Sequence, residues 1–506
     1  INLYETTPLH ANGALYACTR LGRIVSLDPE TGKEKWAFDP HKAGLNTDEP
    51  RASICRGAAY WEAASPEPSA TCQKRVFRAH TTESGGRLYA VDADTGAVCK
   101  DFAAGTAHPG YVAFSDFQWG GETKDYVWVS SAPMVIRDLV VVANSGLDNI
   151  RANSADGYVR AFDVRTGEQK WAFTAIPPDM SEATGGSEVW APFSVDPERG
   201  LVIVPTTSPS PDHYDGQRLK DIPLANALVA LKADTGEVAW SQQTVHHDVF
   251  DYDIPAQPIL TTLEKDGVPQ PALIGITKSG FVWTFNRDTG APIGELKEKP
   301  VPASDVPGEQ LSPTQPTPVW PEPFAKQTLT KDDIFGVTPF DKAWCSNRWD
   351  ELRYEGMFTP PSLKGSIVMP GYLGGGNWGA TAFDAGRQVL VVKAMNIATM
   401  MRIVPRKDGE QQDSGAELHG NKLPMNGTPY SLEMGPFQSP LQIPCTKPPW
   451  STLTAIDMRS GKILWQHPLG QVHKYGVTIP AFFGWGGPSA GGPLMTASGI
   501  IFIGAS

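Results

Sequence analysis

ALKADTGEVAW, at residues 230–240, is one copy of a phrase that occurs six times in this chain. Each copy reads as an apolar strand, a tight turn at Thr-Gly or Ser-Gly and, usually, a second strand that ends in tryptophan. Glycine suits such a turn because it adopts a positive φ at no steric cost. The other copies are SLDPETGKEKW (26–36), AVDADTGAVC (90–99), AFDVRTGEQKW (161–171), TFNRDTGAPI (284–293) and AIDMRSGKILW (455–465).

The spacing of these copies indicates the fold class. The first five turn glycines are 54–71 residues apart, which fits one four-stranded blade of a β-propeller and is too long for a solenoid of helix pairs. We therefore predict an all-β protein, an eight-bladed β-propeller in which residues 1–506 form a single domain. About seven blades are recognisable, and we expect the chain to be truncated at both ends, without the strands that close the ring.

Two stretches interrupt the repeats. Residues 295–365 are rich in proline and then weakly helical around AWCSNRWDELRYEG. We expect them to form an insertion loop on one face of the propeller, since long insertions in this fold lie on the surface. The polar stretch from Lys407 to Gln438 reads as a second surface loop.

Composition excludes several classes of protein. The net charge of −12 argues against a nucleic-acid partner, which would require a basic face. No uncharged apolar stretch of about 18 residues is present, so nothing in the sequence spans a membrane by itself. The chain opens at Ile1 without a recognisable signal peptide, and we expect upstream sequence to have been removed.

The six cysteines contain no CxxC motif and have no neighbouring histidine, which makes a zinc site improbable. They are either buried as small apolar residues or joined in one to three disulfides formed in an oxidising compartment. Cys55 and Cys72 bracket a short loop, and they are the first candidate pair.

The densest group of polar residues is TVHHDVFDYDIPAQP, at residues 244–258. Aromatic residues between its acids favour a partly buried site, where the pKa of a carboxyl group is easily shifted. The alternative is an acidic surface loop without a function. Further candidates are Lys278 in GITKSGFVW, the adjacent oxygen donors Asp148 and Asn149, and Arg56 after Cys55.

Each of these further signals has a structural alternative. A lysine at a strand edge is commonly solvated, Asp and Asn favour turns without a metal, and an arginine commonly forms a surface ion pair. The segments occur at corresponding points of different repeats, so we expect them to converge near the central channel of the propeller.

The sequence resembles one family along nearly its whole length. TVHHDVFDYDIPAQP, the lysine of TKSG, the arginine of CRG, the tryptophan of WAPFSVD and the segment RYEGMFTPPS together resemble the quinoprotein dehydrogenases. These proteins are eight-bladed propellers that bind pyrroloquinoline quinone (PQQ) and a divalent cation, Ca²⁺ or Mg²⁺. The membrane-bound glucose and quinate dehydrogenases are the branch that the sequence resembles most.

The resemblance implies a role for each matching residue. Asp251 matches the catalytic base, and Lys278 matches the lysine that hydrogen-bonds the reactive carbonyl of the quinone. The other implied cofactor contacts are Arg56, which pairs with a PQQ carboxylate, Trp190, which forms the floor beneath the cofactor, and Asn377 and Trp378, which line it. The implied metal ligands are Asp148, Asn149, Ser208 and Asp251.

The resemblance also implies the reaction and its location. A sugar, polyol or cyclic hydroxy acid would lose a hydride to the quinone, and the electrons would pass to ubiquinone. The protein would lie on the periplasmic side of the bacterial inner membrane, attached through a missing amino-terminal segment. Glucose and quinate stay open as substrates, because Ala52 and Lys393 replace a histidine and an asparagine of the glucose enzymes. The competing interpretation is a non-enzymatic propeller that acts as a scaffold.

Overall fold

The computed structural model describes residues 5–46, 48, 53–65, 70–83, 85–117, 127–146, 149–379, 381–406 and 422–505. The chain divides into two compact units. The first contains residues 1–147, 154–204 and 229–240, and the second contains residues 148–153, 205–228 and 241–506. Sheets of short strands build both units, which agrees with the all-β prediction.

Three four-stranded antiparallel sheets in the first unit have their strands in chain order. They are β1 Leu9–Ala11, β2 Ala14–Cys18, β3 Ile24–Leu27 and β4 Glu34–Phe38; β5 Ala59–Glu62, β6 Lys74–Thr82, β7 Gly85–Asp92 and β8 Tyr111–Ala113; β9 Met134–Ile136, β10 Leu139–Ala143, β11 Tyr158–Asp163 and β12 Gln169–Thr174. A short 3-10 helix, Phe114–Asp116, follows β8. A fourth sheet of the same order, with most of its residues in the first unit, comprises β13 Ser194–Asp196, β14 Leu201–Pro205, β15 Ala227–Lys232 and β16 Val238–Gln243.

The second unit begins with a three-stranded sheet and a two-stranded sheet. These are β17 Ile259–Lys265, β18 Val268–Ile276 and β19 Val282–Asn286, and then β20 Leu296–Pro300 and β21 Thr314–Pro318. A 3-10 helix, Lys331–Asp333, and the helix α1, Pro339–Glu351, follow them. No helix in the described part of the chain is long and apolar enough to cross a membrane.

Two interleaved four-stranded sheets complete most of the second unit. Their strands are β22 Ser366–Val368, β23 Thr381–Asp384, β24 Val389–Met395, β25 Thr399–Pro405, β26 Lys422–Leu423, β27 Tyr430–Pro436, β28 Ser451–Asp457 and β29 Lys462–Pro468. One sheet has the order β22-β25-β27-β26 and the other the order β23-β24-β28-β29. The remaining elements are β30 Val472–Lys474, β31 Val477–Ile479, a 3-10 helix Ala481–Phe483, β32 Pro493–Met495 and β33 Ile501–Ile503.

The repeated phrase forms the turn that the sequence predicted. Its six glycines all have a φ between +69° and +73°. In the first copy the carboxylate of Asp28 accepts hydrogen bonds from both the backbone N–H and the hydroxyl of Thr31, each at 2.7 Å. Four copies form two paired strands, whereas the copies at 90–99 and 284–293 keep only a single bridge after the turn.

The tryptophan of one repeat packs on the turn of the next repeat. The indole Nε1 of Trp171 donates to the carbonyl of Ala233 (2.7 Å), and that of Trp36 donates to Ala93 (3.1 Å). A Cβ atom added to Gly236 would lie 2.7 Å from the indole of Trp171. The turn glycine therefore leaves room for a neighbouring indole ring in addition to adopting the positive φ.

Three disulfides pair all six cysteines: Cys18–Cys55, Cys72–Cys99 and Cys345–Cys445. The predicted pair of Cys55 with Cys72 is therefore wrong. Cys99 follows the turn of the second repeat, and its N–H bonds to Ala90 on β7, which pairs with β6 beside Cys72. Strand pairing, and not closeness in sequence, selects the partner.

Two local predictions also differ from the structure. The helix in the 295–365 insertion begins at Pro339, ahead of the predicted segment, because Thr338 caps it with a side-chain hydrogen bond to the N–H of Asp341 (3.1 Å). Residues 407–421 of the predicted loop at 407–438 lie outside the described residues. Its remainder is not a loop, because β27 pairs with β25 over seven residues.

Candidate active site

A loop of polar residues after β16 is organised by one buried carboxylate, that of Asp248. Its Oδ1 accepts a hydrogen bond from the N–H of Phe250, and its Oδ2 accepts one from the N–H of Tyr252, each at 2.9 Å. Asp251 lies between these two residues and has a φ of +60°. Few residues other than glycine adopt this left-handed conformation. The hydrogen bonds to Asp248 therefore hold Asp251 in a backbone conformation that it would otherwise disfavour.

Asp251 forms an ion pair with Lys278, the second residue that the sequence predicted to be catalytic. The Lys278 Nζ lies 2.5 Å from Asp251 Oδ1 and 3.0 Å from Asp253 Oδ2. The backbone N–H of Lys278 also donates to the carbonyl of Asp253 (2.9 Å), so the turn after β18 is fixed to the acid loop. The three side chains are 15%, 8% and 5% exposed for Asp251, Lys278 and Asp253. The structure thus brings the predicted pair together in a largely buried position.

Burial and charge set the protonation of this group. Burial raises the pKa of Asp251 well above its ordinary value; Lys278 opposes this shift, and the negative charges of Asp253 and Asp212 add to it. Burial disfavours the ammonium form of Lys278, but Asp251 and Asp253 outweigh that effect and raise its pKa. Lys278 therefore stays positively charged and faces two carboxyl groups, of which Asp251 holds a proton more readily than an ordinary aspartate.

Two residues that the sequence analysis missed, Asp212 and His213, lie beside Asp251. One potential ligand atom from each of the three lies within 4.8 Å of the others. The Asn149 side chain bonds Asp212 twice: its Nδ2 donates to Oδ2 (2.8 Å), and its Oδ1 accepts from the N–H (3.1 Å). His213 Nδ1 donates to the carbonyl of Val249 (3.1 Å), and burial lowers its pKa to about 4, so the ring is neutral at neutral pH.

The predicted metal ligands have different positions. Asn149 lies next to Asp212 and hence beside the Asp251 group. Ser208 instead supports two other acids, because its hydroxyl donates to Asp248 and its N–H donates to Asp253 Oδ1 (3.2 Å). Asp148 lies outside the described residues. Carboxylate and amide oxygens are the donors that Ca²⁺ and Mg²⁺ prefer, so the chemistry of this group fits a divalent cation.

The glycine-rich segment GYLGGGNW (371–378), which ends in the predicted cofactor-lining residues Asn377 and Trp378, packs directly on Lys278. The Gly375 N–H donates to the Lys278 carbonyl (2.5 Å), and a Cβ atom on Gly374 would lie 2.7 Å from the Lys278 Cα. The Asn377 amide donates to the carbonyl of Leu373 (2.7 Å), and its oxygen accepts from the N–H of Trp378 (2.7 Å). The run of glycines is therefore required for close approach to the lysine.

Tyr372, in the same segment, was not singled out by the sequence analysis. Burial is the main cause that raises the pKa of its hydroxyl, and the negative charge of Asp251 raises it further. The phenol of Tyr372 thus lies within electrostatic reach of the Asp251–Lys278 pair.

Arg56 and Trp190 contact each other within the first unit. The Arg56 Nη1 donates to the Trp190 carbonyl (2.7 Å), and the guanidinium carbon lies 4.9 Å from the centroid of the indole ring. The Arg56 Nη2 also forms a buried ion pair with Glu5 (2.8 Å). Burial lowers the pKa of Arg56, and Glu5 partly offsets the shift. An anionic ligand at Arg56 would therefore share this arginine with Glu5, which the sequence did not indicate.

The repeated sheets and the buried aspartate–lysine pair agree with a known family. Residues 2–506 match the family model described as PQQ glucose/ethanol/alcohol dehydrogenase, β-propeller domain. The chain belongs to this family of quinoprotein dehydrogenases, as its sequence predicted.

Particular relatives are similar over 99% of the chain. The quinate/shikimate dehydrogenase (quinone) of Acinetobacter baylyi is 35% identical and is matched over 65% of its own length. The quinoprotein glucose dehydrogenase of Escherichia coli is 34% identical and is matched over 64% of its length. The chain therefore spans slightly less than two thirds of these relatives.

A solved structure supports the fold. The quinohemoprotein alcohol dehydrogenase from Comamonas testosteroni matches 99% of this chain and 63% of its own chain, with a TM-score of 0.64 and 21% identity. With the family match, this likeness confirms the predicted β-propeller, while the number of blades stays a prediction. The scaffold interpretation is not favoured, because the relatives named above are dehydrogenases.

Proposed function

We propose that the protein is a PQQ-dependent dehydrogenase that oxidises an alcohol group of a sugar, a polyol or a cyclic hydroxy acid. The buried Asp251–Lys278 pair is the observation that carries this proposal. Removal of a hydride from an alcohol carbon requires a base for the hydroxyl proton and a fixed positive charge for the reduced acceptor. This pair supplies both groups within one hydrogen bond.

Asp251 would act at the oxygen that Lys278 leaves free. Its Oδ1 accepts from Lys278, so we assign Oδ2 as the atom that takes the hydroxyl proton. The hydrogen bonds to Asp248 hold the backbone on both sides of Asp251, the ion pair with Lys278 orients its carboxylate, and burial excludes competing water. Lys278 holds its own proton because two carboxylates surround it.

The cofactor and cation contacts are proposals as well. PQQ, when bound, supplies a quinone carbonyl that accepts the hydride. The side chains proposed to contact it offer an indole for stacking, a guanidinium for a carboxylate and polar groups along the glycine-rich segment: Trp190, Arg56, Lys278, Asn377 and Trp378. The residues proposed for Ca²⁺ or Mg²⁺ are Asp251, Asn149, Asp148 and Ser208, to which the structure adds Asp212 as a candidate.

The electron acceptor and the location are proposed by analogy with the relatives. We propose ubiquinone as the electron acceptor, because the Acinetobacter baylyi relative is a quinate/shikimate dehydrogenase (quinone). A position on the periplasmic side of the inner membrane is proposed with it. Glucose and quinate remain the two leading substrates, since both kinds of enzyme occur among the relatives at nearly equal identity.

Reconstitution of the full-length protein tests the proposal. The metal-free protein would be titrated with PQQ and either Ca²⁺ or Mg²⁺, and dye reduction would be followed with glucose, quinate, shikimate and glycerol in parallel. We expect metal-dependent reduction with at least one of these alcohols. Absence of PQQ binding with either metal would refute the proposal, and binding without oxidation of any alcohol would refute the assigned substrate class.

A further inference from the structure

A buried group of basic side chains lies on one face of the β6–β7 hairpin in the first unit. Arg78 and His80 on β6 lie directly opposite Tyr89 and Arg87 on β7. Residues that are opposite in an antiparallel pair share a face, and so do residues two apart on one strand. Arg78, His80, Tyr89 and Arg87 are 2%, 1%, 0% and 9% exposed.

Arg78 has no counter-charge among the residues that the structure describes. Across the residues that the structure describes, its Nε and Nη2 have no hydrogen-bond partner, and it forms no ion pair. Its neighbour Arg75, which is equally buried, pairs with Asp101 and donates to the carbonyls of Cys72 (2.9 Å) and Arg165 (3.1 Å). Each guanidinium nitrogen of Arg75 therefore has a partner, whereas two of the three of Arg78 have none among the described residues.

The surrounding groups do not neutralise Arg78. Burial lowers the pKa of His80 to about 3, and the positive charges of Arg78, His41 and Arg87 lower it further. Arg87 has its own acid, because its Nη2 lies 3.3 Å from Asp48. The Tyr89 hydroxyl lies beside the Arg87 guanidinium, from which it can accept a hydrogen bond, and its own O–H has no acceptor among the described side chains.

We propose that Arg78 and the hydroxyl of Tyr89 bind a small monovalent anion, chloride, inside the first unit. A buried unpaired charge is costly, and proteins remove that cost by pairing or by deprotonation. Deprotonation is not open to Arg78 at neutral pH, since burial lowers its pKa only to about 9. A guanidinium N–H and a phenol O–H are donors that a spherical anion accepts. Ordered water would satisfy these donors but would leave the charge uncompensated.

This site is separate in chemistry from the proposed alcohol oxidation. The two guanidinium groups beside it repel a cation, so the anion serves the stability of the first unit. Ligand binding to the folded state alone stabilises it by mass action. At a free chloride concentration ~100 times the dissociation constant, the equilibrium constant for unfolding falls about 100-fold.

Unfolding in chloride tests the proposal without PQQ or substrate. The full chain would be melted in sodium chloride and in sodium methanesulfonate at equal ionic strength. The same comparison would be made for Arg78→Met and for Arg137→Met, an exposed arginine that pairs with Asp234. We expect chloride to raise the melting temperature of the wild type and of Arg137→Met, but not of Arg78→Met. An equal response of all three proteins would overturn the proposal.

Crystals grown in bromide give an independent answer. We expect an anomalous peak within hydrogen-bonding distance of Arg78 Nε and the Tyr89 hydroxyl. Ordered water alone at that position would overturn the proposal. Should Arg78→Met fail to fold, Tyr89→Phe removes one donor and keeps the ring, and its response to chloride should be weaker than that of the wild type.

Discussion

The packing of Trp171 on the turn at Gly236 allows a stability prediction with a matched control. Gly236 and Gly32 occupy the same place in the repeat and have φ values of +73° and +69°. A Cβ atom at Gly236 would lie 2.7 Å from two atoms of the Trp171 indole, whereas a Cβ atom at Gly32 would have no atom within 4 Å. Alanine therefore introduces the same backbone strain at both sites and a clash at only one.

The expected difference follows from these contacts. An L-residue with positive φ costs about 1–2 kcal/mol, and this cost is common to Gly32→Ala and Gly236→Ala. Overpacking a buried indole adds about 1–3 kcal/mol. Displacement of the ring also breaks the hydrogen bond from Trp171 to Ala233, which contributes about 1 kcal/mol. Gly236→Ala should therefore be less stable than Gly32→Ala by about 2–4 kcal/mol.

Urea unfolding of both variants, followed by circular dichroism, measures this difference. The slope of the transition must agree between them for the midpoints to be compared. Adding Trp171→Phe to each variant completes the test, because without the large indole the two glycine positions should respond alike. Equal destabilisation of the single variants would refute the role that we assign to the Trp171 contact.

Three further predictions concern buried charged groups. Asp251→Asn should lower turnover by ~10²–10⁴ while PQQ binding, measured by absorbance titration, is retained; near-normal turnover would exclude Asp251 as the base. Burial raises the pKa of Asp156 to about 7, so between pH ~4 and ~7 the folded protein keeps a proton that the unfolded chain has lost. This group should therefore lower stability by about 1.4 kcal/mol per pH unit over that range, and Asp156→Asn should remove the slope in urea unfolding. Burial lowers the pKa of Lys393 to about 7, and the sign is reversed: its contribution to stability should rise from pH ~7 towards ~10. Lys393→Met should abolish this rise, and an unchanged slope would contradict the assignment.

Much of the fold could be predicted because the repeated turn is local. An Asp or Asn at the strand end, a hydroxyl residue and a glycine specify the turn within a few residues, and their recurrence reveals the sheets. The partner of Cys55 could not be predicted, because it depends on which strands pair. The start of α1 was missed although Thr338 and Pro339 form a usual helix start, since the prediction followed the apolar residues further on.

The candidate site was predicted only where its residues lie in one motif. Asp251 and Lys278 belong to segments that could be singled out by composition and resemblance. Asp212 and His213 lie in a loop from a different part of the chain, and no local pattern shows that this loop reaches Asp251. The supporting role of Asp248 was equally hidden, because two acids in one motif look alike until their hydrogen bonds are known.

The Cys18–Cys55 disulfide has a consequence for the order of maturation. Cys55 precedes Arg56, and the hydroxyl of Thr6, which follows Glu5, lies within hydrogen-bonding distance of the carbonyls of both Cys18 (2.9 Å) and Cys55 (3.1 Å). One covalent bond and one hydroxyl thus anchor both members of the Glu5–Arg56 ion pair. With Arg56 in its proposed role at the cofactor, thiol oxidation should precede cofactor loading, and protein produced in a reducing cytosol should gain PQQ-binding capacity only after its cysteines are oxidised.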